Sequence, residues 1–269
     1  MTELPCTHKK PKRMILCSSC SQDPFLVEKI RDYYASHGDI TSFKNTYKKK
    51  FPQIKNINTG SFWDKRWKNT DSLRFQDGMT KDRIRIATSY IHDTNIKILD
   101  IGAGFGFLEE RLVEKKKLSL HANDFSSESI RILRKKFKGT FKIESVYDLK
   151  YEDNFFDVVC ILEVLEHIPV SRVFEVIKRI NRIIKKGGLL IVSVPLNEEL
   201  DKMLKNPNGH VRTYTPEIIK TELNLFGFEI IESKFLYAFR DMYTLKKIIA
   251  NLFKNKWRPN NIIIKAIKV

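Results

Sequence analysis

The chain has 269 residues, 42% of them hydrophobic, and a formal charge of +17. That length holds one large domain, or one domain with a small appendage, and the composition supports a real core. No apolar run approaches the roughly 18 to 20 residues that a transmembrane segment requires, and the opening MTELPCTHKKPKR lacks the apolar stretch of a secretory signal, so a cytoplasmic protein is expected. The basic excess comes from lysine more than arginine. It reads either as a face for nucleic acid or another acidic partner, or as lysines that coat an ordinary surface.

Residues 1–23 are basic and irregular, and they gather Cys6, His8, Cys17 and Cys20. Four soft ligands in so short a segment suit a tetrahedral structural zinc, a knuckle whose metal would order a piece too small to fold alone. The alternative is a basic tail with free thiols; a disulfide is disfavoured in a reducing compartment. Cys160, by contrast, stands in an apolar strand as a small buried hydrophobe.

Residues 24–92 read as a helical cap. Helices are expected over 25–37 and about 40–50, then an aromatic-rich segment GSFWDKRW at 60–67, then a helix over about 79–92. This region would pack across the ligand face, with FWDKRW in the acceptor pocket. Trp63 and Trp67 read equally well as core.

From 93 to 269 short apolar runs alternate with amphipathic stretches. IKILDI, LSLHAND, TFKIES, FDVVCIL and LLIVSV read as strands, separated by helices at GFLEERLVEKKK, SSESIRILRKKF (Ser126 or Ser127 as N-cap) and SRVFEVIKRINRIIKK, the last closed by Gly187-Gly188. A helix TPEIIKTELNLFG, a strand FEIIESK, a helix near 241–254 and a strand IIIKAIKV complete the chain. Alternation of this kind implies an α/β fold whose mostly parallel sheet is covered on both faces.

The loop LDIGAGFGF joins the first core strand to its helix. Gly102, Gly104 and Gly106 permit positive φ and close backbone approach beside a helix start. A dinucleotide loop would place its third glycine where Phe107 stands, which disfavours a nicotinamide oxidoreductase. Asp100 ends the first strand and Asp124 the second, where an acid can take both hydroxyls of a ribose.

The segments ILDIGAGFG, NDFS, NFFDVVCILEVLEHI, IIKKGGLLIVSVP and GHVRTYTPEIIKTELNLFGFEI follow one another in an order that resembles the class I S-adenosylmethionine-dependent methyltransferases, in particular the small-molecule branch of ubiquinone-pathway O-methyltransferases. The resemblance covers roughly 60–269. It implies a doubly wound, Rossmann-like, seven-stranded sheet with an N-terminal helical extension. It also implies S-adenosylmethionine as cofactor, with Asp100, Gly102, Gly104 and Gly106 along the methionine part and Asp124 with neighbouring Phe125 at the ribose. Family members often carry an acid after the third strand for the adenine amine. Here Ser145 and Val146 hold that position, with Glu144, Asp148 or the backbone of Val146 and Tyr147 as substitutes.

ILEVLEHIP, residues 161–169, follows the fourth strand at the carboxyl edge of the sheet. If helical, its Glu163, Glu166 and His167 share one face. Three readings stand: a scaffold that positions loops and the cofactor, His167 as general base, or Glu163, Glu166, His167 and the later His210 as ligands of a catalytic divalent metal. The E-x-x-E-H spacing resembles that of small-RNA terminal 2′-O-methyltransferases, without their second histidine after His167. His210, Arg212 and Tyr214 alternate, and if extended they share a face that could close over an acceptor; the alternative, equally weighted, is a loop that packs against TPEIIKTEL. The expected activity is methyl transfer to an O, N or C nucleophile of a small molecule. An RNA or protein acceptor and a non-catalytic cofactor-binding scaffold are the alternatives.

Overall fold

The computed structural model describes residues 55–72, 77–113, 117–196, 198, 208–239, 241–253 and 257–269; the Cys6, His8, Cys17 and Cys20 cluster and the helices expected over 25–37 and 40–50 lie outside them. The aromatic segment is itself a helix, α1 (Gly60–Asn69), whose Thr59 cap accepts from the Phe62 N–H at 3.1 Å. Helix α2 (Gly78–Ser89) follows, capped by Asp77. Then come β1 (Lys97–Ile101), α3 (Phe107–Val113), β2 (Ser119–Asp124), α4 (Ser127–Lys136), β3 (Thr140–Ile143), β4 (Phe156–Leu162), α5 (Val173–Ile183), β5 (Ile184–Pro195), α6 (Pro216–Leu225), β6 (Phe228–Leu236), α7 (Tyr243–Leu252) and β7 (Asn261–Lys268).

The described strands form one seven-stranded sheet in the order β3-β2-β1-β4-β5-β7-β6. The first five pair in parallel; β7 runs antiparallel between β5 and β6. The central strands are apolar on both sides because helices cover both. In β4, Val158 and Cys160 face a core with Ile86, Leu108, Leu112, Ile130 and Leu133. Val159 and Ile161 face the opposite core, built on Phe174, Ile177, Ile180 and Leu223. The period of two in the strand thus meets two helical layers. In α5 the buried set Val173, Phe174, Val176, Ile177, Ile180 and Ile183 recurs at helical spacing and fixes how that helix lies.

Two local expectations are corrected. The helix expected to run to the glycine pair stops at Ile183, because Ile184 already pairs with Phe156, and the register shifts before Val158 meets Leu189. Gly187, at φ 75°, serves this bulge and not a helix cap. EVLEHI is not an α-helix either: Glu163 leaves β4 at φ 58°, and Leu165–His167 is a single 3₁₀ turn. Pro169 lacks the N–H that would continue it. The shared-face argument for Glu163, Glu166 and His167 therefore fails at its premise.

His210, Arg212 and Tyr214 also part company. Arg212 and Tyr214 are buried against α6, where the Glu222 carboxylate accepts from Arg212 Nη2 at 2.8 and 3.0 Å and from Tyr214 Oη at 3.2 Å. They tie the 208–215 segment down and do not reach toward an acceptor. Removing one partner of a buried, bidentate pair leaves the other charge desolvated without compensation. Glu222→Ala is expected to cost about 3–5 kcal/mol, measured as a lower urea midpoint with an unchanged slope.

Candidate active site

The site lies where β1, β2 and β4 end at the carboxyl edge of the sheet. The loop after β1 is possible only with glycine: Gly102 and Gly106 sit at φ 77° and 79°. A Cβ on Gly102 would meet a Val164 methyl at 2.5 Å, and one on Gly106 would meet Leu133 at 2.7 Å. The Gly102 N–H donates to the Asn123 carbonyl at 2.8 Å, and Ser129 Oγ donates to the Gly104 carbonyl at 2.7 Å, so the loop hangs on β2 and α4.

Asp124 is buried at the end of β2. Its Oδ2 accepts from the Gly104 N–H at 3.0 Å and its Oδ1 from the Ser126 N–H at 2.9 Å. Each oxygen keeps a second lone pair for a ligand hydroxyl. Asp64 of α1 supports the same corner by accepting from Ser126 Oγ (2.6 Å), Ser127 Oγ (2.9 Å) and the Glu128 N–H (3.0 Å). Those bonds hold its carboxyl below the usual carboxylate range. Sequence reasoning missed Asp64, because nothing in FWDKRW says that its acid caps a helix more than sixty residues away.

Asp100 lies deeper, and Glu109 from the first turn of α3 is fully buried beside it. Burial, together with the negative Asp124, pushes Asp100 up to about 7, against a lowering from its hydrogen bond to Glu109. Burial first, then the charge of Asp100, raises Glu109 well above its ordinary value. Two desolvated carboxyls in contact share a proton, since both cannot ionise there.

These groups border one cavity of about 360 Å³. Asp100, Gly102, Gly104, Asp124, Phe125, Ser145, Val146, Glu163 and His167 all line it, as do Asn58, Trp63, Arg66, Trp67 and Arg83 from the N-terminal helices and the segment before them, whereas Gly106 faces Leu133 and Phe137. The two tryptophans, left open by the sequence, are wall. Trp63 stands edge-on to His167 at 5.0 Å and leans on Trp67 at 5.2 Å, which meets Phe105 at 4.7 Å.

The two glutamates of EVLEH diverge. Glu163 Oε1 accepts from Ser193 Oγ and Asn261 Nδ2, both at 2.8 Å, and Oε2 pairs with Arg83 at 3.2 Å. These three partners hold a non-glycine residue in the left-handed region, where few side chains sit without strain. Glu166 turns the other way, fully buried, and no other described residue donates a hydrogen bond to either of its oxygens. His167 Nε2 lies 3.9 Å and His210 Nε2 4.0 Å from its Oε1.

The tautomers follow from the outer partners. His167 Nδ1 faces the Gly209 carbonyl at 3.2 Å, and a carbonyl only accepts, so that nitrogen carries the proton. His210 Nδ1 lies 2.7 Å from Glu198 Oε2, an acid that no local pattern singles out. Both Nε2 lone pairs therefore point toward Glu166. Burial pushes His167 down to about 3, which keeps it neutral. Burial, with Glu163 nearby, raises Glu166 well above the carboxylate range. Three acceptors that face one another need a proton or a cation between them. Among the described residues these three form a group whose ligand atoms all lie within 4.8 Å of one another.

A family model described as a methyltransferase domain matches residues 73–233. The chain is 26% identical over 192 residues to an uncharacterized protein of Methanocaldococcus jannaschii, covering 70% of this chain and 80% of that one. It is 32% identical over 117 residues to a ubiquinone biosynthesis O-methyltransferase of Pelagibacter ubique, covering 42% of this chain and 45% of that one. Among solved structures it resembles in fold the methyltransferase bound to the Trm112 activator of Haloferax volcanii, with a TM-score of 0.59, 15% identity, and coverage of 80% of this chain and 97% of that one.

A carboxyl raised in the folded state binds its proton there more tightly than in the unfolded chain. Its contribution to stability is complete below the unfolded pKa and is lost as pH rises through the folded one. For Asp100 that window runs from its ordinary value of 3.8 to about 7. Asp100→Asn is expected to remove a decline in stability across that window relative to the unsubstituted protein, measured by urea unfolding at a series of pH values.

Proposed function

Because the chain belongs to the methyltransferase-domain family and is an S-adenosylmethionine-dependent methyltransferase, we propose that its acceptor is a small molecule seated beside His167, Trp63 and Trp67. The observation that carries this reading is the character of the cavity wall. Its volume suits a small-molecule site, and beside the tryptophans and phenylalanines it carries four acids, Asp100, Asp124, Glu144 and Glu163, against the two arginines Arg66 and Arg83. Arg83 is already paired with Glu163. With Asp100 and Asp124 on the cofactor side, the wall left for the acceptor is chiefly aromatic, Trp63, Trp67 and His167, which suits a small molecule better than a phosphate backbone. The likeness to an enzyme of ubiquinone biosynthesis favours an oxygen nucleophile.

The residues fit the cofactor. Asp124 keeps lone pairs for a ribose diol, the backbone of Gly102 and Gly104 borders the cavity, and Ser145 and Val146 border the wall where adenine would lie. When bound, S-adenosylmethionine supplies a methyl group on a positively charged sulfur, so little further activation is needed and alignment carries much of the rate. The chain's own part is to orient the acceptor against the tryptophans and to exclude water. Beside it, neutral His167 and the raised Glu166 hold or accept a proton.

Glu166, His167 and His210 are read here as ligands of a divalent cation, with Gly209 and Glu198 fixing the two imidazoles from outside, an outer arrangement typical of metal-bound histidine. When bound, such an ion supplies acidity to a hydroxyl placed against it. Glu163 stands outside this set, committed to Ser193, Asn261 and Arg83. Cys6, His8, Cys17 and Cys20 are read as a separate structural zinc site.

Calorimetry tests the cofactor reading: Asp124→Ala is expected to weaken S-adenosylmethionine binding by about tenfold or more, and equal binding would remove Asp124 from the ribose. His167→Ala is expected to lower turnover by about a hundredfold or more while cofactor affinity stays nearly intact; unchanged turnover would make His167 structural. Elemental analysis of the purified chain is expected to return an ion that is lost in Glu166→Gln and His210→Ala, apart from one lost in Cys17→Ser/Cys20→Ser. Absence of the first ion would leave a shared proton as what reconciles the Glu166 cluster.

A further inference from the structure

Helix α7 faces the wrong way for a helix that serves only the core. Its inner side is thin. Ala250 is buried, Tyr243 Oη donates to Asp82 Oδ2 at 3.0 Å, and Lys247 pairs with the same carboxylate. This fastens α7 to α2. The apolar residues point outward instead: Met242, Leu245, Ile248 and Leu252 recur every three or four positions, and Phe253 continues the stripe. Met242 is 65% exposed and Leu252 73%. Trp257, just beyond, is exposed as well. An apolar stripe of this extent in water marks a binding surface.

The charge around the stripe says what covers it. From Met242 to Arg258 the sequence carries Lys246, Lys254, Lys256 and Arg258 and no acid, beside Lys247, which is paired with Asp82; Lys265 and Lys268 belong to β7, where Lys268 donates to the Asn181 and Ile184 carbonyls. A second copy would bring the same cations against these, at a cost. An anionic lipid surface meets both features at once: the stripe enters the acyl boundary while lysines stay among the headgroups, and a tryptophan sits at their level. No helix among the described residues is long and apolar enough to cross a membrane, so the attachment is to the surface.

We infer that α7 and the segment after it dock the protein on anionic bilayers. The inference does not rest on the acceptor reading, although it has a consequence for it. Thr80, Arg83 and Ile84 of α2 line the cavity, so docking through α7 would set that wall near the bilayer and favour acceptors that partition into lipid.

The test is sedimentation of the full chain with vesicles of phosphatidylcholine, with and without phosphatidylglycerol, beside the Leu245→Glu/Leu252→Glu variant. Both positions are exposed and outside the site, so the variant should keep its melting temperature and its affinity for S-adenosylmethionine. The unsubstituted chain is expected to sediment with the anionic vesicles, and the variant to bind them at least about tenfold more weakly. Binding by the variant equal to that of the parent would assign attachment to other basic segments and overturn the inference. So would failure of the parent to bind anionic vesicles. A parent dimer that light scattering shows the variant to dissolve would overturn it in favour of self-association.

Discussion

Val164 lies against Gly102 so closely that a methyl group on the glycine would overlap it, and this contact joins the loop after β1 to the loop after β4. The two strands are neighbours at the centre of the sheet, with Ile101 opposite Ile161 in register. Their loops must leave the sheet in the same small volume. One gives way by having no side chain there, and the other turns sharply through the left-handed conformation of Glu163. The cavity and the divergence of the two glutamates both follow. If Glu163 continued as strand or began a helix, Glu166 and His167 would not turn back beneath Trp63.

That turn separates two kinds of acid. Glu163 is saturated, with a hydroxyl, an amide and a guanidinium around one carboxylate, and it acts as a strut between β4, β5, β7 and α2. Glu166, three residues on, is desolvated and receives no hydrogen bond from another of the described residues. Burial of a carboxyl without such donors costs several kcal/mol in ordinary protein. The Asp100–Glu109 pair shows the same economy behind the glycine loop, where one shared proton keeps two buried acids compatible.

The basic character of the chain is spread unevenly. The cavity wall holds more acids than arginines, while the segment from α7 to the end holds cations alone. A single net charge cannot express this difference.

The order of strands and helices, the glycine loop and the placement of Asp100 and Asp124 were legible in the sequence, because each rests on local rules: residue periodicity, caps such as Ser126 and Thr215, and the need for glycine at positive φ. The site's inner arrangement was only partly legible. EVLEH was singled out but read as a helix, since a spacing of three and four fits one, and nothing local announces a left-handed glutamate. Asp64 at the start of α4, Glu109 behind Asp100 and Glu198 on His210 carry no local signal. Each matters through a partner brought near only by the sheet. The sequence by itself determined which elements form and in what order; only tertiary structure decided which acid is a strut and which is left bare. A carboxyl's role depends on the donors around it, and those donors are set by packing between segments far apart in the chain.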